Sequence, residues 1–173
     1  MSCCGRGLTV HMKKDIENLD VMICKNNWYK YCHKNILLEK LYGEFIPALI
    51  RIEIVKVDFE LSPDKQYSSN IQLVVRLKSM PANMPVKWHR ANVNCIEMKL
   101  DILNVESICI KEDTSTGSDI IVYQNANNVV VRLQRGLSGE IKCLVNHNKV
   151  VENVLVSADK CLAISEIKGI HEN

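Results

Sequence analysis

The sequence predicts a mainly β (α+β) protein: an antiparallel β-sandwich of about nine strands behind an N-terminal helical segment. Three observations carry that prediction. Apolar residues recur at i, i+3, i+4 as far as about residue 43 and then strictly alternate, a change of period from 3.6 to 2. Short alternating runs then follow at regular spacing, separated by Gly, Asn, Ser and Pro turns. Alternating strand and helix patterns are absent, which argues against a parallel nucleotide-binding sheet.

Taken in order, Trp28, Tyr31, Leu38 and Tyr42 share one helical face, with Cys32 and Asn35 between them. Gly43 and Pro47 supply the stop. Asp15–Ile23 reads as a separate shorter helix, broken near Asn26-Asn27. Residues 1–46 therefore form the helical segment and residues 47–173 the β-rich body of one 173-residue domain. In the body, Ile50, Ile52 and Ile54 alternate with Arg51 and Glu53. Val55, Val57, Phe59 and Leu61 then alternate with Lys56, Asp58 and Glu60. The phase flips between Ile54 and Val55, which predicts a β-bulge, because one extra residue exchanges the two faces. Ser62-Pro63-Asp64 ends this strand. Ile71 to Leu77 and Ile96 to Ile102 follow, the latter with Glu97, Lys99 and Asp101 facing outward. Further strands are expected at Ser107–Lys111, Asp119–Tyr123, Val129–Gln134, Glu140–Val145, Val150–Val156 and Leu162–Ile167. The turns between them include Thr116-Gly117-Ser118, Asn125 to Asn128 and Gly136 to Gly139.

Apolar residues make up 47% of the chain and aromatics 5%, so the core must be mostly aliphatic. Charged residues at 24% and a net charge of +2 suit a globular chain and exclude a disordered one. No run reaches the roughly 18–20 apolar residues of a spanning helix. The longest apolar region, Phe45 to Leu61, is interrupted by five charges. No signal-like run follows the N-terminus, so the chain is expected not to be secreted and its eight cysteines to stay reduced. Cys95, Cys109, Cys143 and Cys161 lie in strand-like runs and read as small core hydrophobes.

The segment "ICKNNWYKYCHKN" (residues 23–35) brings Cys24, Cys32 and His33 together in sequence. Zinc sites use paired close spacings, and C-x7-C-H is not one. Cys32 therefore reads first as a core residue and His33 as a solvated one, with a cysteine/zinc-dependent module as an alternative. Cys143 and His147 would stand about 13 Å apart along a strand, too far for one metal. Neither Gly5-Arg6-Gly7 nor the stretch from Arg135 to Gly139 has the make-up of a phosphate loop. No neighbourhood proposes a nucleophile with its base. The expectation is therefore no enzyme, no metal and no cofactor. Cys3 and Cys4 are either exposed thiols or palmitoylation sites, and Ser2 excludes myristoylation.

Charge placement says more. Residues 1–44 hold seven Lys/Arg against five Asp/Glu, whereas residues 45–173 hold fifteen of each. Between Asp64 and Glu97 there is no acid, while Lys65, Arg76, Lys78, Lys87 and Arg90 stand there. The centre of that stretch, "RLKSMPANMPVKWHR", reads as a proline-punctuated loop in which Trp88 sits among cations. Such a loop suits a membrane interface or RNA, and equally a surface loop whose tryptophan tucks under the sheet edge. The candidate membrane or nucleic-acid contacts are Lys25, Lys30, Lys34, Arg76, Lys78, Lys87, Trp88 and Arg90.

The stretch "IQLVVRLKSMPANMP", an apolar strand ending in Arg-Leu before a proline-bounded loop, resembles a segment of rhabdovirus matrix proteins. In size the chain is closest to those of plant-infecting rhabdoviruses. It departs from the pattern in lacking Pro-Pro-x-Tyr and Pro-Thr-Ala-Pro motifs, and its basic arm is reduced to Arg6, Lys13 and Lys14. The resemblance implies a non-enzymatic viral structural protein of the virion and host cytoplasm, peripheral to the membrane. It would form homo-oligomers and condense the viral ribonucleoprotein against an anionic membrane surface, with the cytoplasmic tail of a glycoprotein as a further partner. The alternative is a viral cell-to-cell movement protein binding single-stranded nucleic acid, with Asp101 and Gly139 as its candidate signature residues.

Overall fold

Where the hydropathy period changes near Pro47, the chain turns from short helical pieces into a sheet. The computed structural model describes residues 27–33, 36–60, 69–112, 114, 116–125, 128–144, 150–151, 154–155 and 160–172. Along these run a 3₁₀ turn (Trp28–Tyr31), β1 (Cys32–His33), α1 (Ile36–Tyr42), β2 (Glu53–Glu60), β3 (Ser69–Leu77) and α2 (Val86–Arg90). Then come β4 (Cys95–Glu112), β5 (Ser118–Asn125), β6 (Asn128–Arg135), β7 (Leu137–Leu144), β8 (Val150–Val151), β9 (Val154–Leu155) and β10 (Leu162–Ile170). The protein is mainly β with helical structure at its N-terminal side, as the periodicity predicts. Eight strands belong to one continuous curled sheet, and β8 pairs with β9 separately.

The long strand β4 organises the sheet. Its first half lies between β3 and β10, all antiparallel, and its second half pairs with β7. Val105 has partners on both sides, Ser69 of β3 and Cys143 of β7. β7 therefore continues the edge of β4 that β10 began. The alternation suggests two strands, Ile96–Ile102 and Ser107–Lys111, and the structure joins them through a bend. Asn104 takes φ +56° there, a left-handed conformation that asparagine tolerates, and the β4–β7 register shifts between Val105 and Ser107.

The predicted bulge is present: the β2–β3 register shifts between Ile54 and Lys56. Val55 is the extra residue and is exposed, while Ile54 and Val57 point to the core side. Ahead of the bulge the chain closes the sheet on itself. Ile52 and Ser118 exchange backbone hydrogen bonds of 2.9 and 2.7 Å, and the Ile120 N–H donates to the Leu49 carbonyl at 2.8 Å. The ring thus runs from β2 through β3, β4, β7, β6 and β5 back to residues 49–52. Closure satisfies backbone groups that the edge of β5 would otherwise leave open.

The curl encloses an aliphatic core. Leu73, Val75, Leu100, Ile102, Val122, Val131 and Ile141 are all fully buried within it. Trp28, 1% exposed, plugs it and donates its indole Nε1–H to the Pro47 carbonyl at 2.9 Å. Tyr42 donates its hydroxyl to the Ser79 carbonyl at 2.9 Å, and burial pushes its pKa up to about 12. The expected helix through residue 43 is interrupted. Cys32 and His33 form a parallel bridge to Leu162 and Ala163 of β10, a long-range pairing that helical spacing does not register. At one close approach a glycine is required: a Cβ on Gly139 (φ +149°) would lie 1.9 Å from the Cys109 carbonyl oxygen across the β4–β7 pair.

Candidate functional site

Alternate residues of β2, β3, β4 and β10 point outward and meet in cross-strand rungs. Glu53, Arg76, Glu97 and Lys168 are direct neighbours in one rung. Arg76 reaches Glu97 at 3.2 Å, Glu172 at 3.3 Å and Glu53 at 3.9 Å, and Lys168 reaches Glu97 at 2.7 Å. The hydrogen bond from Lys168, then that from Arg76, holds the Glu97 carboxyl below its ordinary range even though burial opposes this. The same bond to Glu97 raises the Arg76 guanidinium further. The next rung carries Lys99 and Glu166, 2.6 Å apart. The one beyond carries Asp58, Gln72 and Asp101, with Gln72 donating to Asp101 at 2.7 Å. Asp58 also pairs with Lys56 at 2.7 Å.

At the opposite end a groove of about 500 Å³ is lined by Arg51, Glu53, Arg76, Lys78, Thr116, Gly117, Arg135 and Glu172. It lies against the closing seam, and a buried carboxylate builds it. Asp119, 1% exposed, accepts the Arg51 backbone N–H at 2.8 Å and pairs with Arg135 Nε at 3.5 Å. Arg51 and Arg135 have φ of +53° and +68°, which side chains other than glycine, asparagine and aspartate seldom adopt. Ser118 beside them is buried and accepts the Leu137 N–H on its hydroxyl at 3.1 Å. Both groove carboxylates, Glu53 and Glu172, are occupied with Arg76. Among the described residues no carboxylate lies within ion-pair distance of Lys78 or the Arg51 guanidinium. The groove can therefore grip an anionic group between Arg51, Lys78 and Arg135.

The sequence-predicted contacts fall in several places. Arg76 and Lys78 line this groove. Lys30 is exposed on the 3₁₀ turn, and Lys87 and Arg90 are exposed on α2. Trp88 is corrected: the expected loop is a short helix, and its indole is 9% exposed rather than offered to a surface. It packs so closely on β10 that a Cβ on Gly169 would lie 2.8 Å from Trp88 Cδ2. Lys25, Lys34, Cys3, Cys4 and Cys24 lie outside the described residues, as do the Asp15–Ile23 segment, His147 and Ser62-Pro63-Asp64. Sequence reasoning missed Arg51, Asp119 and Arg135. Arg51 lies between Ile50 and Ile52 and Arg135 precedes Gly136, and neither setting reveals that the two converge on Asp119.

Cys32 and His33, neighbours in a strand, point to opposite faces and do not converge on one ligand. Burial pushes the Cys32 thiol up to about 12. Cys161 is raised by its hydrogen bond with Cys143 and then by burial. Both values suit core thiols rather than nucleophiles. Cys109, expected in the core, is exposed on the outer half of β4. Among the described residues no group of three or more His, Cys, Asp or Glu side chains could hold a metal ion.

The fold defines a mainly β protein built on one curled sheet, with a groove beside the closing seam. More particularly, residues 34–155 match the model of the immunity protein 50 family, and the chain belongs to that family. No curated protein and no solved structure matches it.

Proposed function

We propose that the protein is an immunity protein: it binds a toxin protein and blocks it by forming a complex. The observation that carries this reading is the family match, which runs from before α1 to β9 and takes in the seam residues Arg51, Asp119 and Arg135. The groove beside the seam supports a binding role, because among the described residues Lys78 and the Arg51 guanidinium have no carboxylate within ion-pair distance and line it together. Inhibition by binding requires neither a nucleophile nor a cofactor in this chain. The residues behind the rhabdovirus matrix resemblance, 71–85, lie inside the matched span, so the family supplies the leading reading for the same stretch.

The test is co-expression in bacteria with toxin domains encoded beside its gene. One toxin should kill without this chain and spare the cells with it, and the two proteins should co-purify at fixed stoichiometry. Failure to protect against any of them, together with pelleting on anionic vesicles or a shift of single-stranded RNA, would replace this reading with the viral ones.

A further inference from the structure

The groove at the seam continues into a second one of about 340 Å³, and the two share Glu53 and Gly117. The second groove is mixed in character: Ile54, Val55 and Leu137 give it an apolar wall, and Lys56 and Glu112 also line it. Val55, pushed outward by the bulge, is 42% exposed. Its wall is the side of β2 away from β3, and among the described residues no strand pairs with that side beyond Ile52. An open strand edge beside apolar side chains, ending at guanidinium groups, has the make-up of a site for an extended peptide.

We propose that this composite groove is where the toxin partner docks, and that the partner supplies an extended, acidic segment. Its carboxylates would sit between Arg51, Lys78 and Arg135, and an apolar side chain would rest on Val55 and Leu137. The identity of the partner as a toxin rests on the immunity reading, but the chemistry of the segment rests on the groove. Guanidinium forks match carboxylates in a bidentate manner, and two of the three cations here are arginines. The occupant is a protein segment rather than a nucleic acid, because the unpaired edge of β2 and the apolar side chains beside it match an extended peptide backbone. The net charge of +2 adds no long-range attraction for a polyanion.

The probe is a fluorescein-labelled peptide, Gly-Glu-Val-Glu-Val-Glu-Ser-Gly, followed by fluorescence anisotropy. Its glutamine counterpart and a single-stranded thymidine oligonucleotide serve as comparisons. The groove variant is Arg51→Asn/Lys78→Gln/Arg135→Asn; asparagine tolerates positive φ, so the cations are removed without new backbone strain. The control variant, Lys30→Gln/Lys87→Gln/Arg90→Gln, removes equal charge elsewhere. The acidic peptide should bind more tightly than the neutral one, and the groove variant should weaken it by at least about tenfold while the control changes little. Lys78→Glu alone, an exposed change that leaves the Asp119 pairings intact, should weaken binding in the same direction and covers the case of a triple variant that does not fold. Equal loss in the control, equal binding of the neutral peptide, or tighter binding of the oligonucleotide would overturn the proposal. Toxin protection that survives the groove variant would also overturn it while leaving the immunity reading intact. Peptide binding without protection against any toxin would instead count against the immunity reading alone.

Discussion

Replacing Asp119 by alanine should open the seam. Asp119 is 1% exposed, accepts the Arg51 N–H at 2.8 Å and pairs with Arg135 at 3.5 Å. A hydrogen bond to a charged group contributes about 1.5–3 kcal/mol. The Arg135 pair adds at most about 1 kcal/mol, because that side chain is half in water. The Arg51 amide lies on an exposed residue, so water can replace part of what it loses. The sum is about 3 kcal/mol for Asp119→Ala. Asp119→Asn, which keeps an oxygen for the Arg51 amide, should cost about 1 kcal/mol less. For a domain of this size about 3 kcal/mol lowers Tm by about 6–12 °C. Thermal melts followed by far-UV circular dichroism, with urea titrations for the free energy, measure both variants. Hydrogen exchange should quicken first at Ile52, Ser118 and Ile120, whose amides close the ring. An Asp119→Ala protein melting within 1 °C of the parent would refute the view that this carboxylate holds the seam.

The other predictions rest on separate parts of the structure. Trp88→Ala should destabilise by about 3–5 kcal/mol through the cavity left beside Gly169, whereas Lys87→Ala and Arg90→Ala should stay within about 0.5 kcal/mol; urea titration separates them. Glu97 ionises more readily folded than unfolded, so its contribution is fully present above its ordinary value of 4.5 and lost as pH falls through the lower folded value. Melts between about pH 3 and 7 should therefore show a shallower acid limb for Glu97→Gln. Alkylation of the native protein with peptide mapping should modify Cys109 and spare Cys32, Cys95, Cys143 and Cys161, which are buried. Rapid labelling of Cys32 would contradict the buried thiol whose pKa is pushed up to about 12.

Much of the sheet was legible in the order of residues. Apolar alternation is a local property, and it marked the core faces of β3 and the first half of β4. The bulge at Ile54–Val55 was readable because one extra residue flips the phase within a few positions. The outward charges at Glu97, Lys99 and Asp101 were readable for the same reason. The fate of the cations was not. Arg76 and Lys78 were singled out together with Lys87 and Arg90, yet only the first two reach the groove, because α2 turns away to seat Trp88 on β10. The helical spacing that included Cys32 could not register a parallel bridge to Leu162, 130 positions later.

By itself, then, the sequence determined that this chain builds a mainly β body, where its strands alternate and where one of them bulges. Only the tertiary structure decided that the sheet curls until residues 49–52 meet β5. That closure brings Arg51 to Asp119, 68 positions apart, where the β5–β6 hairpin already holds Arg135. The physical reason is that periodicity reports which way a side chain faces. Strand order and curl report which distant side chains share a place, and the candidate site is made of the second kind of information.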